Sequence, residues 1–232
     1  AHTGFDLTEG PLTRVQLVKL DDDLHVLVFV AHHIICDGWS FAVVLAELCD
    51  LYTAEVNGAQ DDLPEAARFS DFISWDAEQM FGQEGRASEK YWLEQFSTPP
   101  TALDLPYDRP RPSNKTFAAG VESFVLDEAL YKELKRLGAK NGATLFATML
   151  AGFNILLTRL SGQNDLVVAV PAAGQSAIGE ERLVGHCSNL LPVRSEVIAE
   201  ESFADYLKRV KTSVLDAYDH QNYTYGLLVQ RL

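Results

Sequence analysis

A pair of adjacent histidines, His32 and His33, is followed by Asp37 and Gly38. A histidine can take up or hold a proton near neutral pH, which makes such a ring a candidate for acid–base chemistry. Asp37 could cap a following helix or hold the loop through an ion pair. Gly38 allows backbone geometry that a side chain would block, and it lets a substrate come close. These four residue types at this spacing predict a reactive site.

The elements on either side of this group place it at a crossover. Residues 25–30 form an unbroken apolar run, which predicts a strand buried on both faces, as in the middle of an α/β sheet. After Ser40 the apolar residues recur at helical spacing, which predicts a helix. Loops at strand ends are where α/β proteins gather their chemistry. The histidines are therefore expected on a loop that can carry a site.

Strand geometry separates the roles of the two histidines. Neighbouring residues on a strand point to opposite faces, so only one of the two rings can face a given cleft. We expect His33 to face substrate and His32 to pack or hydrogen-bond behind it. A metal site is the alternative, with His33 and Asp37 as two ligands. Zinc needs three or four protein ligands and the sequence offers no third, so we expect no metal.

Composition excludes several classes of function. The chain of 232 residues is 47% hydrophobic and 22% charged, as in ordinary globular proteins. Its net charge of −14 and the lack of a basic stripe predict no nucleic-acid partner. Its three scattered cysteines indicate a reducing compartment, hence the cytoplasm. No apolar run reaches the roughly 20 residues that span a membrane, so we expect no membrane contact.

The histidine group resembles the His-His-x-x-x-Asp-Gly core of condensation domains from nonribosomal peptide synthetases, which belong to the chloramphenicol acetyltransferase-like superfamily. Further segments resemble the same family, at residues 68–75, 105–112, 184–194 and 220–225. The first of these predicts a helix with Ser70 or Asp71 as its N-cap and with Phe72 and Trp75 as packing residues. The motifs span nearly the whole chain.

The resemblance implies an α/β fold with two lobes and mixed sheets flanked by helices. Residues 1–96 would be the C-terminal part of the first, histidine-bearing lobe. Residues 97–116, rich in proline, would be the crossover between lobes. Residues 117–232 would be the second lobe, truncated before its end, and would begin with a strand at 121–126. Family motifs that precede the histidine core are missing, so the resemblance implies a fragment.

The resemblance also implies the reaction, which is amide-bond formation between a donor and an acceptor thioester. Both would arrive on the 4′-phosphopantetheine arms of upstream and downstream carrier proteins, within nonribosomal peptide or mixed polyketide–peptide modules, and no cofactor would be tightly bound. His33 would take the proton of the acceptor amine or orient the amine. His32 and Asp37 would give structural support beside Gly38. In the family this Asp pairs with an upstream Arg that this sequence lacks.

Substrate contacts are expected from Trp39, Ser40 and Asn189, although Asn189 could instead only order its loop. Near Asn189, the segment at 184–194 departs from the family wording, with His186, Cys187 and a serine in place of apolar residues. A His186–Cys187 dyad is a poor candidate, because adjacent side chains on an extended segment diverge.

Two competing functions remain open from the sequence. A free-standing acyltransferase that uses coenzyme A thioesters could share the histidine core. The proline-rich crossover and the Trp75 motif favour the carrier-dependent enzyme instead. From another class, the chain could be a catalytically silent piece that binds carrier proteins, because an active tunnel needs both lobes.

Overall fold

The computed structural model describes residues 3–60, 62–110, 112–114, 116 and 119–232. The chain packs as two compact units, one made of Ala1–Gly82 with Pro171–Asn189 and the other of Gln83–Val170 with Leu190–Leu232. Arg111 and Lys115 of the predicted crossover, and residues 117 and 118 of the predicted second lobe, lie outside the described residues. The lobe boundary at 97–116 stays a prediction.

The regular elements of the described residues are helices and short strands. In chain order they are β1 (Thr13–Lys19), β2 (His25–Ala31), α1 (Gly38–Asn57), α2 (Phe69–Phe81), α3 (Gln83–Gln95), α4 (Glu128–Lys140), α5 (Leu145–Ser161), β3 (Asp165–Ala173), α6 (Gly174–Ile178), β4 (Ser188–Glu196), α7 (Phe203–Asp219) and α8 (Tyr225–Arg231). Strands β1 and β2 form one two-stranded sheet, and β3 and β4 form another.

In the first unit, β1 and β2 make an antiparallel hairpin in which Thr13 lies opposite Ala31 and Lys19 opposite His25. The prediction that β2 is buried on both faces was wrong. Its first four residues are exposed and the last three are half-buried. In the described residues β2 pairs with β1 alone, and Phe29 near its end contacts the Phe41 ring, with the centroids 5.6 Å apart. The apolar run marks a strand correctly but does not show what covers it.

The core of the first unit forms around α2. Phe72, Leu183 and Cys187 are buried together, and Trp75 packs against them, which confirms the packing role predicted for the two aromatic residues. The predicted N-cap of α2 was wrong. The cap residue is Arg68, and the backbone N–H groups of Asp71 and Phe72 donate to its carbonyl oxygen.

The second unit is built on helices with side-chain caps. Thr144 caps α5 and Ser202 caps α7, each by accepting a backbone N–H three residues later. Helices α5 and α7 pack together and bury residues on their facing sides, among them Ala151 and Leu207. In this unit α3 also contacts α8.

The predicted strand at 121–126 was wrong. These residues form no regular element, and Val121, Phe124 and Val125 are strongly exposed. A strand needs a neighbour for its backbone hydrogen bonds, and β-propensity alone does not supply one. Within the described residues, no single helix has the length and apolar content to cross a membrane; only α4 and α5 together meet that criterion, across a bend of 102°.

Candidate active site

The site begins where β2 ends. The backbone N–H of His32 donates to the Leu12 carbonyl at 2.9 Å, and the N–H of Ile35 donates back to the His32 carbonyl at 3.1 Å. Residues 33–35 therefore form a turn rather than a continuation of the strand. Because His33 lies in this turn, its side chain does not follow the alternation of strand faces, yet the rings of His32 and His33 still diverge.

His32 is half-buried and engaged locally. Its Nδ1 accepts the backbone N–H of Ile34 at 3.2 Å, and its ring lies edge-on to Phe5 with the centroids 6.0 Å apart. This places His32 behind the turn, in the kind of contact expected of a supporting residue.

His33 is exposed and points to a second imidazole. Its Nδ1 lies 3.2 Å from Nδ1 of His186, and the two rings meet edge-to-face with centroids 5.1 Å apart. We call His33 and His186 the imidazole pair. One of the two Nδ1 atoms must carry the proton and the other must accept it, since two lone pairs would repel. Nε2 of His33 lies on the other edge of the ring.

Asp37 is the centre of a buried hydrogen-bond network, although it lies only four residues from His33. It is 2% exposed. Its Oδ1 accepts the N–H and Oγ–H of Ser40, and its Oδ2 accepts Cys187 N–H at 3.0 Å and Ser188 Oγ–H at 2.9 Å. Gln175 Nε2 lies 3.1 and 3.2 Å from the two oxygens. We call these five residues the Asp37 hub.

The donors around Asp37 decide between the two roles open from sequence. The Ser40 N–H bond makes Asp37 the N-cap of α1, which confirms the capping alternative. All five donors are uncharged, so hydrogen bonds, rather than an ion pair, hold the loop. Burial alone would raise the pKa of Asp37. The hydrogen bonds from Ser40, Gln175 and Cys187 outweigh that effect and lower the pKa to about 2.

Ser40 extends the hub to the backbone around His186. Its Oγ lies 2.7 Å from the Gly185 carbonyl oxygen and accepts the Gly185 N–H at 3.0 Å. Gly185 packs so closely on the Phe69 ring that an added Cβ would lie 2.2 Å from a ring carbon. By contrast, Gly38 has no positive φ, and a Cβ there would meet nothing within 4 Å. The expectation that a side chain at position 38 would be blocked by the backbone geometry was wrong, while the expectation that Gly38 lets a substrate come close stays a prediction.

Cys187 is not placed for thiol chemistry. Its side chain lies in the core beside Phe72, and burial together with the negative charges of Asp37 and Asp76 raises the pKa of its thiol to about 12. A protonated thiol is a poor nucleophile. The neighbouring ring of His186 contacts His33, as the divergence of adjacent side chains predicts.

The three predicted substrate contacts lie in different surroundings. Trp39 is exposed on one face, and its indole N–H donates to the Glu181 carbonyl at 2.7 Å. Ser40 is fully buried in the Asp37 hub, which favours a structural role for it. Asn189 is half-buried in β4. Contact with substrate stays a prediction for all three. Among the described residues, no three His, Cys, Asp or Glu side chains form a cluster that could hold a metal ion.

Sequence reasoning missed two residues of the site. Gln175, fully buried, lies in a stretch that reads as a loop of small residues, and nothing local marks it as a partner of Asp37. His186 was considered only with Cys187, and its contact with His33 joins positions 153 residues apart. The departure of His186 from the usual sequence motif of the family was the one signal that could have singled it out.

The chain as a whole is similar to known proteins. The family model for the condensation domain matches residues 1–232. The chain is 37% identical over 229 residues to tyrocidine synthase 2 of Brevibacillus parabrevis, which covers 98% of this chain but 6% of that protein. It is 36% identical over 229 residues to malpibaldin synthetase of Mortierella alpina, covering 97% of this chain and 4% of that protein.

Solved structures show the same fold. The X-domain from teicoplanin biosynthesis superposes with a TM-score of 0.84 at 25% identity, covering 97% of this chain and 51% of that one. The first condensation domain of the CDA synthetase superposes with a TM-score of 0.80 at 24% identity, covering 95% and 49%. The expected α/β, chloramphenicol acetyltransferase-like fold class is confirmed. The chain spans about half the length of these solved structures.

Proposed function

Because this chain belongs to the condensation domain family, we propose that it forms amide bonds between two thioesters carried on phosphopantetheine arms. The donor would be an acyl or peptidyl thioester and the acceptor an aminoacyl thioester, each on its own carrier protein. The partners would be the flanking carrier proteins and modules of a peptide or mixed polyketide–peptide synthetase. The chain covers a small part of synthetases such as tyrocidine synthase 2.

The observation that carries the proposal is the exposed ring of His33 at the turn after β2. A ring that was shut into the apolar interior would be useless to a substrate. Here the Nδ1 edge is engaged with His186, and Nε2 faces away from that contact. Geometry of this kind suits a group that meets a proton of an incoming amine.

For the proposed chemistry the protein has only to position the two substrates and to supply one proton acceptor. An α-amino group has an ordinary pKa near 8, so a useful fraction is neutral at pH 7. The amine nitrogen attacks the thioester carbonyl carbon, the C–N bond forms and the C–S bond breaks. His33 Nε2 takes the amine proton, or holds the amine by accepting its hydrogen bond, and the proton passes to the departing thiolate. Asp37 keeps the turn in place.

The proposal includes the cytoplasm as the location. The three cysteines are unpaired in the structure, which supports a reducing compartment. It also includes the absence of a tightly bound cofactor, because the phosphopantetheine arms arrive with the substrates.

The test is peptide transfer between two loaded carrier proteins by an intact condensation domain built around this sequence. His33→Ala should lower the rate by about 10²–10⁴-fold, the usual effect of losing acid–base help. His25→Ala is the matched control and should leave the rate unchanged, because His25 is also an exposed histidine but lies at the opposite end of β2. Equal rates for wild type and His33→Ala would end the proposal. Equal rates with carrier-bound and coenzyme A-bound donors would favour the free-standing acyltransferase.

A second candidate is a binding module without chemistry. The similarity to the teicoplanin X-domain, which has also been solved in a complex with OxyB, favours it. In that case the wild-type domain would bind loaded carriers and form no product, and His33→Ala would bind them equally well.

A further inference from the structure

We infer that His186 is a positioning residue for His33, which it holds in the tautomer that leaves Nε2 free to accept a proton. The inference rests on the proposed function, since it assigns His33 a reacting Nε2. Two facts carry it: the 3.2 Å contact between the two Nδ1 atoms, and the way the backbone around His186 is fastened.

The tautomer follows from the hydrogen bond. A neutral imidazole carries one N–H, so a ring that donates through Nδ1 has a bare Nε2. If His33 donates Nδ1–H to His186, its Nε2 carries a free lone pair that points away from His186. His186 must then carry its own proton on Nε2. The opposite arrangement would leave His33 with an Nε2–H, which can donate but cannot take the proton of an amine.

The same bond becomes stronger as the reaction proceeds. When His33 Nε2 takes the amine proton, the ring becomes a cation whose Nδ1–H still points at the lone pair of His186. Hydrogen bonds from a charged donor are about twice as strong as neutral ones. His186 therefore holds the His33 ring through the proton transfer without itself touching substrate, as the third group of a nucleophile–base–orienter arrangement does.

The backbone holds His186 on both sides. Gly185 before it donates its N–H to Ser40 Oγ, and Cys187 after it donates its N–H to Asp37. Phe69 covers Gly185 so tightly that the segment has no room to shift in that direction. His186 itself is exposed, but Gly185 and Cys187 on either side of it are buried. An exposed side chain on a fixed backbone is suited to orient another group.

Two substitutions separate the hydrogen bond from the ring. His186→Phe keeps a flat ring for the edge-to-face contact but removes both nitrogens. His186→Asn places an amide oxygen close to the position of Nδ1, where it can accept the same N–H. In the peptide-transfer assay, His186→Phe should lower kcat about tenfold with KM for the acceptor changed less than about twofold. His186→Asn should recover kcat to within about threefold of wild type.

The kinetic outcomes distinguish this inference from the proposed function. Wild-type kcat in His186→Phe, together with an inactive His33→Ala, overturns the role of His186 and leaves the proposed function standing. Equal losses in His186→Phe and His186→Asn also overturn it. An active His33→Ala sinks the proposed function itself.

A spectroscopic test needs no turnover. Nitrogen-15 imidazole spectra of the labelled chain at mildly alkaline pH report which nitrogen carries the proton, and the His33 signals are assigned by their loss in His33→Ala. The His33 ring should be the Nδ1–H tautomer in wild type and should lose that preference in His186→Phe. A wild-type His33 found as the Nε2–H tautomer overturns the inference.

Discussion

The Asp37 hub and the imidazole pair join the same two stretches of chain in opposite ways. Both link the turn after β2 to the segment around residues 175–188. The hub is buried, and its carboxylate accepts hydrogen bonds from four other residues. The pair is exposed and is joined by a single contact between two nitrogens.

The difference teaches how one short motif divides its work. A carboxylate that is saturated with donors has no lone pair left for a substrate, so Asp37 is suited to hold structure. A ring with one edge engaged and one edge open is suited to chemistry. The hub should therefore govern stability and the pair should govern turnover. The predictions below test that separation.

The largest effect on stability is expected from Asp37→Ala. The change leaves the N–H groups of Ser40 and Cys187 and the amide of Gln175 buried without their acceptor, so the free energy of unfolding should fall by about 3–5 kcal/mol. Urea unfolding measures it.

Asp50→Ala is the matched control for Asp37→Ala, since Asp50 is exposed on α1. It should change the free energy of unfolding by less than about 0.5 kcal/mol. A stable but inactive Asp37→Ala protein would break the comparison, because the carboxylate would then belong to the chemistry.

A smaller effect on the free energy of unfolding is expected at acidic pH. The pKa of Asp37 is lowered to about 2 in the folded protein, below the ordinary value of about 3.9 in an unfolded chain. The contribution of Asp37 to stability is therefore complete above about pH 4 and is lost as the pH falls towards 2. Urea unfolding along a pH series should show this decline in wild type and a shallower one in Asp37→Asn. Parallel curves would mean that the carboxylate gains nothing from its donors.

The smallest effect on stability is expected at the imidazole pair. His33→Ala and His186→Phe remove exposed groups and leave no buried donor without a partner, so each should change the free energy of unfolding by less than about 0.5 kcal/mol. Thermal and urea unfolding at neutral pH measure it. A loss of more than about 1 kcal/mol in either variant would show that the pair also carries structure.

Sequence patterns predicted the elements better than their surroundings. The apolar run at 25–30 identified β2, and the spacing after Ser40 identified α1. Neither pattern could show that β2 pairs with β1 alone in the described residues. An apolar face indicates that a strand tends to be buried, but it does not indicate which element packs on it. The residues at 121–126 look like a strand for the same reason, yet they form none.

For the site, the sequence identified the stretch that holds the group but not the partners that complete it. His33 and Asp37 could be singled out because their types and spacing are local. Gln175 and His186 act through contacts across 138 and 153 residues. No periodicity connects positions so far apart, and the common residue types at 174–178 do not indicate a contact with Asp37. The N-cap of α2 was predicted wrongly for another reason. Two residues with capping side chains lie inside the first turn of the helix and not before it.

The separation of Asp37 from its donors also bears on how the protein is made. Asp37 leaves the ribosome 138 residues before Gln175, which at about 5–20 residues per second corresponds to roughly 7–30 seconds of synthesis. Throughout that interval the carboxylate stays hydrated, and the turn carrying His33 has no second wall. The Asp37 hub and the imidazole pair can thus form only late in translation, because Gln175 and His186 are made long after Asp37 and His33.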